Sequence, residues 1–174
     1  MSTHDDIVND LLDDDALDPK KLFNEKEYNT LMIDRDGFNK KQNNTADLLE
    51  NLLDPNITRI ESEDIFSKLK EMKSQNLLVD AIEIAERVEE KIILTSACWE
   101  CGLDFSSNIL FFAKLACSEN FKLAMEALTV VEYNDEPVID EVVLKSALEI
   151  AQQSKSPNTA LIDALVKNIN ARLN

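Results

Sequence analysis

The scarcity of turn-forming residues constrains the fold of this chain more than any other feature. Its 174 residues include 2 glycines and 4 prolines, whereas average usage of about 7% and 5% would give roughly 12 and 9. Sheet sandwiches and barrels need many tight turns, so an all-β fold is disfavoured. Because hydrophobic residues make up 44% of the chain, a core can form, and we predict an all-α protein.

The chain is strongly acidic. It has 18 Lys and Arg residues against 34 Asp and Glu, which gives a formal net charge of -16. Such a surface repels nucleic-acid phosphates and anionic bilayers, so we expect neither nucleic acid nor membrane as a partner. The charge favours a well-solvated exterior or contact with another protein of basic character.

Three features predict a cytoplasmic location. The N-terminus lacks the basic start and apolar core of a signal peptide, and no run reaches the roughly 18 to 20 apolar residues of a membrane span. The 3 cysteines, an odd number, fit a reducing compartment.

The N-terminal quarter differs from the rest of the chain. Residues 1–18 hold seven aspartates and no Lys or Arg. Within them Ile7, Leu11 and Leu12 recur at helical spacing and form a short apolar stripe that needs a groove to lie in. Sustained helical periodicity begins at Asn44. We therefore predict an acidic N-terminal tail and connector over residues 1–43 and a single all-helical domain over residues 44–174.

Hydrophobic periodicity and capping residues predict eight helices in the second region. Their predicted bounds are Ala46–Leu53, a helix capped by Ser62 that includes Met72, Leu77–Glu86, Glu89–Cys101 with Gly102 as its stop, Asn108–Cys117, Glu119–Val131, a helix from Pro137 to Gln153, and a helix from Pro157 to the C-terminus. The run Ile109–Ala113 is apolar all round, which is typical of a helix enclosed by its neighbours.

Three similar phrases suggest an internal repeat. They are Ala81–Ala85, Ala124–Ala127 with Leu128, and Ala147–Ala151, and the first two lie 43 residues apart. Together with Asp135–Val138, which looks like the start of a helix pair, residues from about 60 to 174 resemble α-helical repeat proteins of the HEAT and armadillo type. The resemblance implies stacked helical hairpins in an α-α superhelix. An irregular helical bundle is the alternative, because the third phrase follows the second after 23 residues and acidic Asp140-Glu141 replaces the usual arginine.

The pair Cys98 and Cys101 has the C-x-x-C spacing of redox and zinc sites. A redox thiolate needs a helix N-terminus or a cation, but these cysteines lie at the C-terminal end of a predicted helix next to Glu100. A zinc site needs four ligands, which Cys117 and His4 do not complete. We therefore predict buried cysteines that pack as small hydrophobic residues, and no metal.

Catalytic patterns are scarce. His4 is the sole histidine and lies in the predicted tail, so a catalytic triad has no base. The chain lacks the glycine-rich motifs that cradle phosphates. We predict no cofactor and no enzyme activity, and interpret the chain as a protein-interaction or scaffold module with an acidic surface.

Candidate partner-binding residues lie in three places. They are Trp99 and Asp104 around Gly102, the acidic edge of Glu132, Asp135, Glu136, Asp140 and Glu141, and Ile7, Leu11 and Leu12 in the tail. Two alternatives stay open. An acidic inhibitor or nucleic-acid mimic predicts one continuous acidic face, and a small carboxylate-dependent enzyme predicts a deep pocket of convergent acids with raised pKa values.

Overall fold

The computed structural model describes residues 44–134 and 140–173. Within these ranges the chain forms eight α-helices and one short 3-10 helix, and no strand. The helices are α1 (residues 44–52), α2 (Arg59–Glu71), α3 (Gln75–Ile84), α4 (Val88–Glu100), the 3-10 helix (Ser106–Asn108), α5 (Ile109–Ala116), α6 (Phe121–Tyr133), α7 (Glu141–Gln153) and α8 (Thr159–Leu173). The all-α prediction is confirmed for these residues. Predictions about Ile7, Leu11, Leu12, Asp135, Glu136 and the tail fall outside them, so the division at residue 43 stays a prediction.

Helix α2 begins four residues earlier than the predicted cap implies. Its N-cap is Thr58, whose hydroxyl accepts from the backbone N–H of Glu61 at 3.3 Å. The Glu61 carboxylate accepts in return from the backbone N–H of Thr58 at 2.8 Å. This reciprocal capping box satisfies two donors at the helix start. Ser62 is not the cap, because it lies in the first turn and its hydroxyl donates to the carbonyl of Thr58.

The ends of α3 to α6 lie within two residues of the predicted bounds, but two caps differ. Ser118, the residue before the predicted start at Glu119, is the N-cap that the sequence predicts for α6. The observed cap is Asn120, whose side-chain oxygen accepts from Leu123 N–H at 3.0 Å. Helix α7 begins after Asp140, whose carboxylate accepts from Val142 N–H at 2.8 Å, and not at Pro137. In both cases an Asn or Asp side chain, the strongest N-cap class, sets the start.

Gly102 ends α4 as predicted. Its φ of +59° is a left-handed conformation that favours glycine. A Cβ at this position would lie 3.2 Å from the Lys70 ammonium nitrogen, so a larger residue would also crowd the end of α2.

Consecutive helices from α3 onward contact one another in pairs. Helix α3 packs on α4, α5 on α6, and α7 on α8. The pairs are joined through alternate helices, because α6 contacts both α4 and α8, and α5 contacts α7. The most extensive contacts join α5 with α6.

The core centres on α5. Phe112 is fully buried and meets the rings of Phe105 and Phe111 edge-on, with centroids 5.4 and 5.1 Å apart. The α5 residues Ile109 and Ala113 are also fully buried. The prediction that this apolar run is enclosed is confirmed for the inner side of α5, whereas Phe111 is partly exposed.

Arg172 in α8 fastens the C-terminal end of α6. Its guanidinium donates to the carbonyls of Val131 and Asn134, the latter at 2.8 Å. The Asn134 side chain in turn accepts from Phe105 N–H at 2.6 Å. These bonds occupy carbonyl groups that a helix end leaves without intrahelical partners, and they join α6, α8 and the residues before α5.

No helix in the described part of the chain combines the length and the apolar character of a membrane span.

Candidate interaction surface

Trp99 connects two helices. Its indole N–H donates to a carboxylate oxygen of Glu126 at 2.9 Å, so the side chain joins α4 to α6 while remaining partly exposed. Buried indole groups usually satisfy their single donor in this way. The contact gives Trp99 a structural role, and its role in binding stays a prediction.

Three acidic candidates have local structural roles. Asp104 accepts from Ser106 N–H at 2.8 Å and starts the turn into the 3-10 helix. Asp140 is the N-cap of α7, and Glu141 lies in the first turn, where a negative charge complements the helix dipole. Glu141 also pairs with Lys145 at 2.6 Å. These residues and Glu132 are exposed, and whether they bind a partner stays a prediction.

The cysteines lie where the sequence predicts. Cys98 and Cys101 are buried at the C-terminal end of α4, with 0% and 4% exposure. Burial raises the pKa of the Cys98 thiol well above its ordinary value and, as the main cause, raises the pKa of Cys101 to about 11. Both thiols therefore stay protonated at neutral pH, the opposite of a reactive thiolate. Among the described residues, no group of three His, Cys, Asp or Glu side chains is arranged to hold a metal ion.

An open cleft of about 520 Å³ lies where the end of α1 and the start of α2 meet the outer face of α4. We call it the α2–α4 cleft. Its apolar lining includes the buried Leu52, the partly buried Ile57 and Phe66, and Ile93, which is 37% exposed. Its charged lining residues are Asp54, Arg59, Glu63 and Glu100.

The two helical walls of the cleft match in length. Helix α2 contributes residues from Arg59 to Phe66, and α4 contributes Ile93, Ser96 and Glu100. Each set spans eight residues along one helix face, and the seven steps between them cover about 10 Å at about 1.5 Å per residue. The cleft is therefore a groove about two helical turns long.

Acidic groups dominate the rim of the groove. Arg59, the one basic lining residue, pairs with Glu63 at 2.9 Å. The pKa of Glu100 is raised, first because its surroundings partly desolvate it and second because Glu126 lies nearby, while Arg59 opposes the shift. No salt bridge within 4.0 Å reaches Glu100 from the described residues. Its negative charge is therefore poorly compensated.

The sequence-based candidates omit the cleft. Its α4 wall continues a stripe of Glu89, Ile93, Ser96 and Glu100, in which one isoleucine stands among polar residues. An apolar residue on a polar helix face is a sequence signal for an exposed contact. The other wall of the cleft, on α2, has no such sequence signal, because only the fold brings the start of α2 beside α4.

Comparison of the chain with protein-family models, with curated proteins and with solved structures finds no match. The resemblance to HEAT and armadillo repeats therefore depends on the residue phrases that carry it.

Proposed function

We propose that this chain is a non-enzymatic protein-interaction or scaffold module of stacked helical hairpins, and that its partner is a protein of basic character. The observation that carries the proposal is the order of helix contacts. Pairs α3–α4, α5–α6 and α7–α8 each contact the next pair through alternate helices. HEAT and armadillo arrays are built in this way, and they use the extended surface of the array to bind other proteins.

The charge of the exposed residues supports a basic partner. Glu89 and Glu100 on α4, Glu132 on α6 and Glu149 on α7 are exposed carboxylates on successive parts of the molecule. Exposed carboxylates distributed over the surface in this way speed association with a positively charged protein and disfavour association with a negatively charged one.

A scaffold fits the surface better than a nucleic-acid mimic does. A mimic requires a continuous acidic face, but Lys145 pairs with Glu141 at the acidic edge, and Lys122 is exposed on α6. Large apolar side chains are exposed as well, including Phe121 at 56% and Tyr133 at 60%. Mixed charge with exposed aromatic groups is typical of protein interfaces.

Binding of purified partners tests the proposal. The full chain is immobilised, proteins retained at low salt are identified, and each is purified and titrated against the full chain. We expect a basic protein that binds saturably at one site and whose affinity falls as ionic strength rises. A Phe112→Ser variant keeps the charge but disrupts the core, so it controls for attraction to an acidic polymer. The proposal is wrong if no purified protein binds saturably, or if the disrupted variant binds equally well.

A further inference from the structure

We infer that the α2–α4 cleft binds one basic amphipathic helix of the partner protein, whose apolar face contacts Phe66 and Ile93 and whose Lys or Arg side chains approach Glu100. This inference rests on the proposed function and assigns the binding site within it.

The shape of the cleft fits a helix. Its walls are two sets of side chains on α2 and α4, each about two turns long. A helix that lies in such a groove contacts both walls with residues at i, i+3, i+4 and i+7. The volume of about 520 Å³ gives space for several apolar side chains from two turns.

The apolar lining supplies the contact area. Ile93 is 37% exposed, and Phe66 is partly exposed beside it. Both side chains line the cleft and keep exposed surface, so a partner's Leu or Phe would remove apolar surface from water on both sides. Burial of this kind is the main favourable term in protein association.

The charge of the rim determines which helix fits. Arg59 is already paired with Glu63, which leaves Asp54 and Glu100 on the rim and the half-buried Glu126 next to Glu100. A cation placed there would offset the repulsion between Glu100 and Glu126. An acidic helix would add to it. Residues 1–18 of this chain, with seven aspartates and no Lys or Arg, therefore have the wrong charge to occupy the cleft.

A designed peptide tests the inference without knowledge of the natural partner. The probe is a helical peptide of about 14 residues with Leu at i, i+3, i+4 and i+7 and Lys elsewhere. Its counterpart has Glu in place of Lys. Each is titrated into the full chain and followed by the fluorescence of Trp99, the only tryptophan, whose indole donates to Glu126 beside Glu100. Calorimetry gives the stoichiometry independently. We expect one Lys peptide per chain and no saturable binding of the Glu peptide.

Matched variants locate the site. Ile93→Ser and Glu100→Lys each change an exposed residue of the cleft, and we expect each to weaken the Lys peptide about tenfold or more. Their controls are Ile84→Ser and Glu149→Lys, which make the same changes at exposed positions outside the cleft. We expect these controls to bind within about twofold of the wild type. Circular dichroism verifies that all four variants are folded.

Four results would overturn the inference. Equal weakening by Glu100→Lys and Glu149→Lys would mean that net charge alone attracts the peptide. Unchanged binding by Ile93→Ser would exclude the apolar cleft. Self-association of the free chain that Ile93→Ser abolishes would mean that a second copy occupies the cleft. If a purified basic protein binds wild type and cleft variants equally, the proposed function stands and this site assignment fails.

Discussion

The helices α1–α2 and α5–α6 contrast in how they use their surface. The α5–α6 pair makes the most extensive contacts in the described chain, and Phe112, Ala113, Ala124 and Ala127 are fully buried between neighbouring helices. The α1–α2 pair borders three open clefts of about 520, 380 and 330 Å³. Helix α5 also borders one open cleft, of about 490 Å³, but α5 and α6 bury more apolar side chains than α1 and α2 do. The comparison indicates that α5 and α6 supply more of the core, while α1 and α2 border more of the open surface.

Local interactions compensate for the thin packing of α2. Its capping box joins Thr58 and Glu61, and two ion pairs at i, i+4 spacing join Arg59 to Glu63 and Lys68 to Asp64. Such exposed pairs each contribute about 0.3 to 0.5 kcal/mol. Helix α2 thus combines the burial of Ile65 and Leu69 with terms close in sequence, whereas α5 depends mainly on packing by residues distant in sequence.

The largest expected effect comes from the core aromatic residue of α5. Phe112→Ala should lower the free energy of unfolding by about 3 to 5 kcal/mol, because a cavity remains among Phe105, Phe111 and their neighbours. Phe66→Ala on α2 makes the same change at a partly exposed site and should cost clearly less. Urea unfolding measures both. Equal losses in the free energy of unfolding would contradict the proposed difference between the two regions.

The next effect concerns the fastening of α6 by α8. Arg172→Ala should lower the free energy of unfolding by about 1.5 to 3 kcal/mol, because it removes the charged guanidinium that donates to the carbonyls of Val131 and Asn134. The control is Lys167→Ala, which removes an exposed cation from the same helix. Urea unfolding of the two variants should differ by at least about 1 kcal/mol, and matching values would mean that the Arg172 bonds contribute little.

A smaller and more local effect is expected at the start of α2. Thr58→Ala removes the N-cap and should cost about 1 kcal/mol. Amide hydrogen exchange should speed up in α2 while α6 keeps its protection, because the two regions open separately. Ser67→Ala, an exposed change in the same helix, is the control. Faster exchange throughout α6 would show that the regions unfold as one unit.

The smallest expected effects are pH-dependent and opposite in sign. Hydrogen bonds from Thr58 lower the pKa of Glu61 below its ordinary 4.5, so its contribution to stability is present above that value and is lost as the pH falls through the lowered pKa. The pKa of Glu100 is raised by desolvation and Glu126, so its protonation favours the folded state, and stability is lost as the pH rises through the raised pKa.

Two glutamine variants measure these signs in thermal melts across pH. At neutral pH, Glu61→Gln should melt lower than the wild type and Glu100→Gln slightly higher. Both differences should shrink as the pH falls toward and below the lowered pKa of Glu61. If Glu100→Gln melts lower at neutral pH, then Glu100 is a stabilising group and its charge is not free for a partner.

Much of the fold can be predicted from the sequence, because the residue patterns that determine it are local. The end of α4 at Gly102, the burial of Cys98 and Cys101, and the enclosure of the inner face of α5 follow from residue type and helical period. Caps are harder to predict. Thr58 and Ser62 are both good N-cap residues four positions apart, but only Thr58 is followed three residues later by a glutamate, Glu61, which completes a capping box.

The candidate surface is harder to predict from the sequence, because it is formed by residues that are distant in sequence. Glu126 lies 27 residues from Trp99, and their hydrogen bond exists only because α4 packs on α6. The α2–α4 cleft similarly combines Phe66 with Ile93. The polar neighbours of Ile93 on its helix face predict that it is exposed, but the sequence does not predict that Phe66 stays partly open beside it, because that depends on how α2 lies next to α4.

Nuclear magnetic resonance of the ¹⁵N-labelled full chain, titrated with the Lys peptide, tests the central claim most directly. We expect amide shifts that saturate together and map to the end of α1, the first two turns of α2 and the Ile93–Glu100 segment of α4. Amides of α7 and α8 should stay unchanged. Shifts spread over exposed acidic residues of all helices, or concentrated on α7 and α8, would contradict a defined binding cleft.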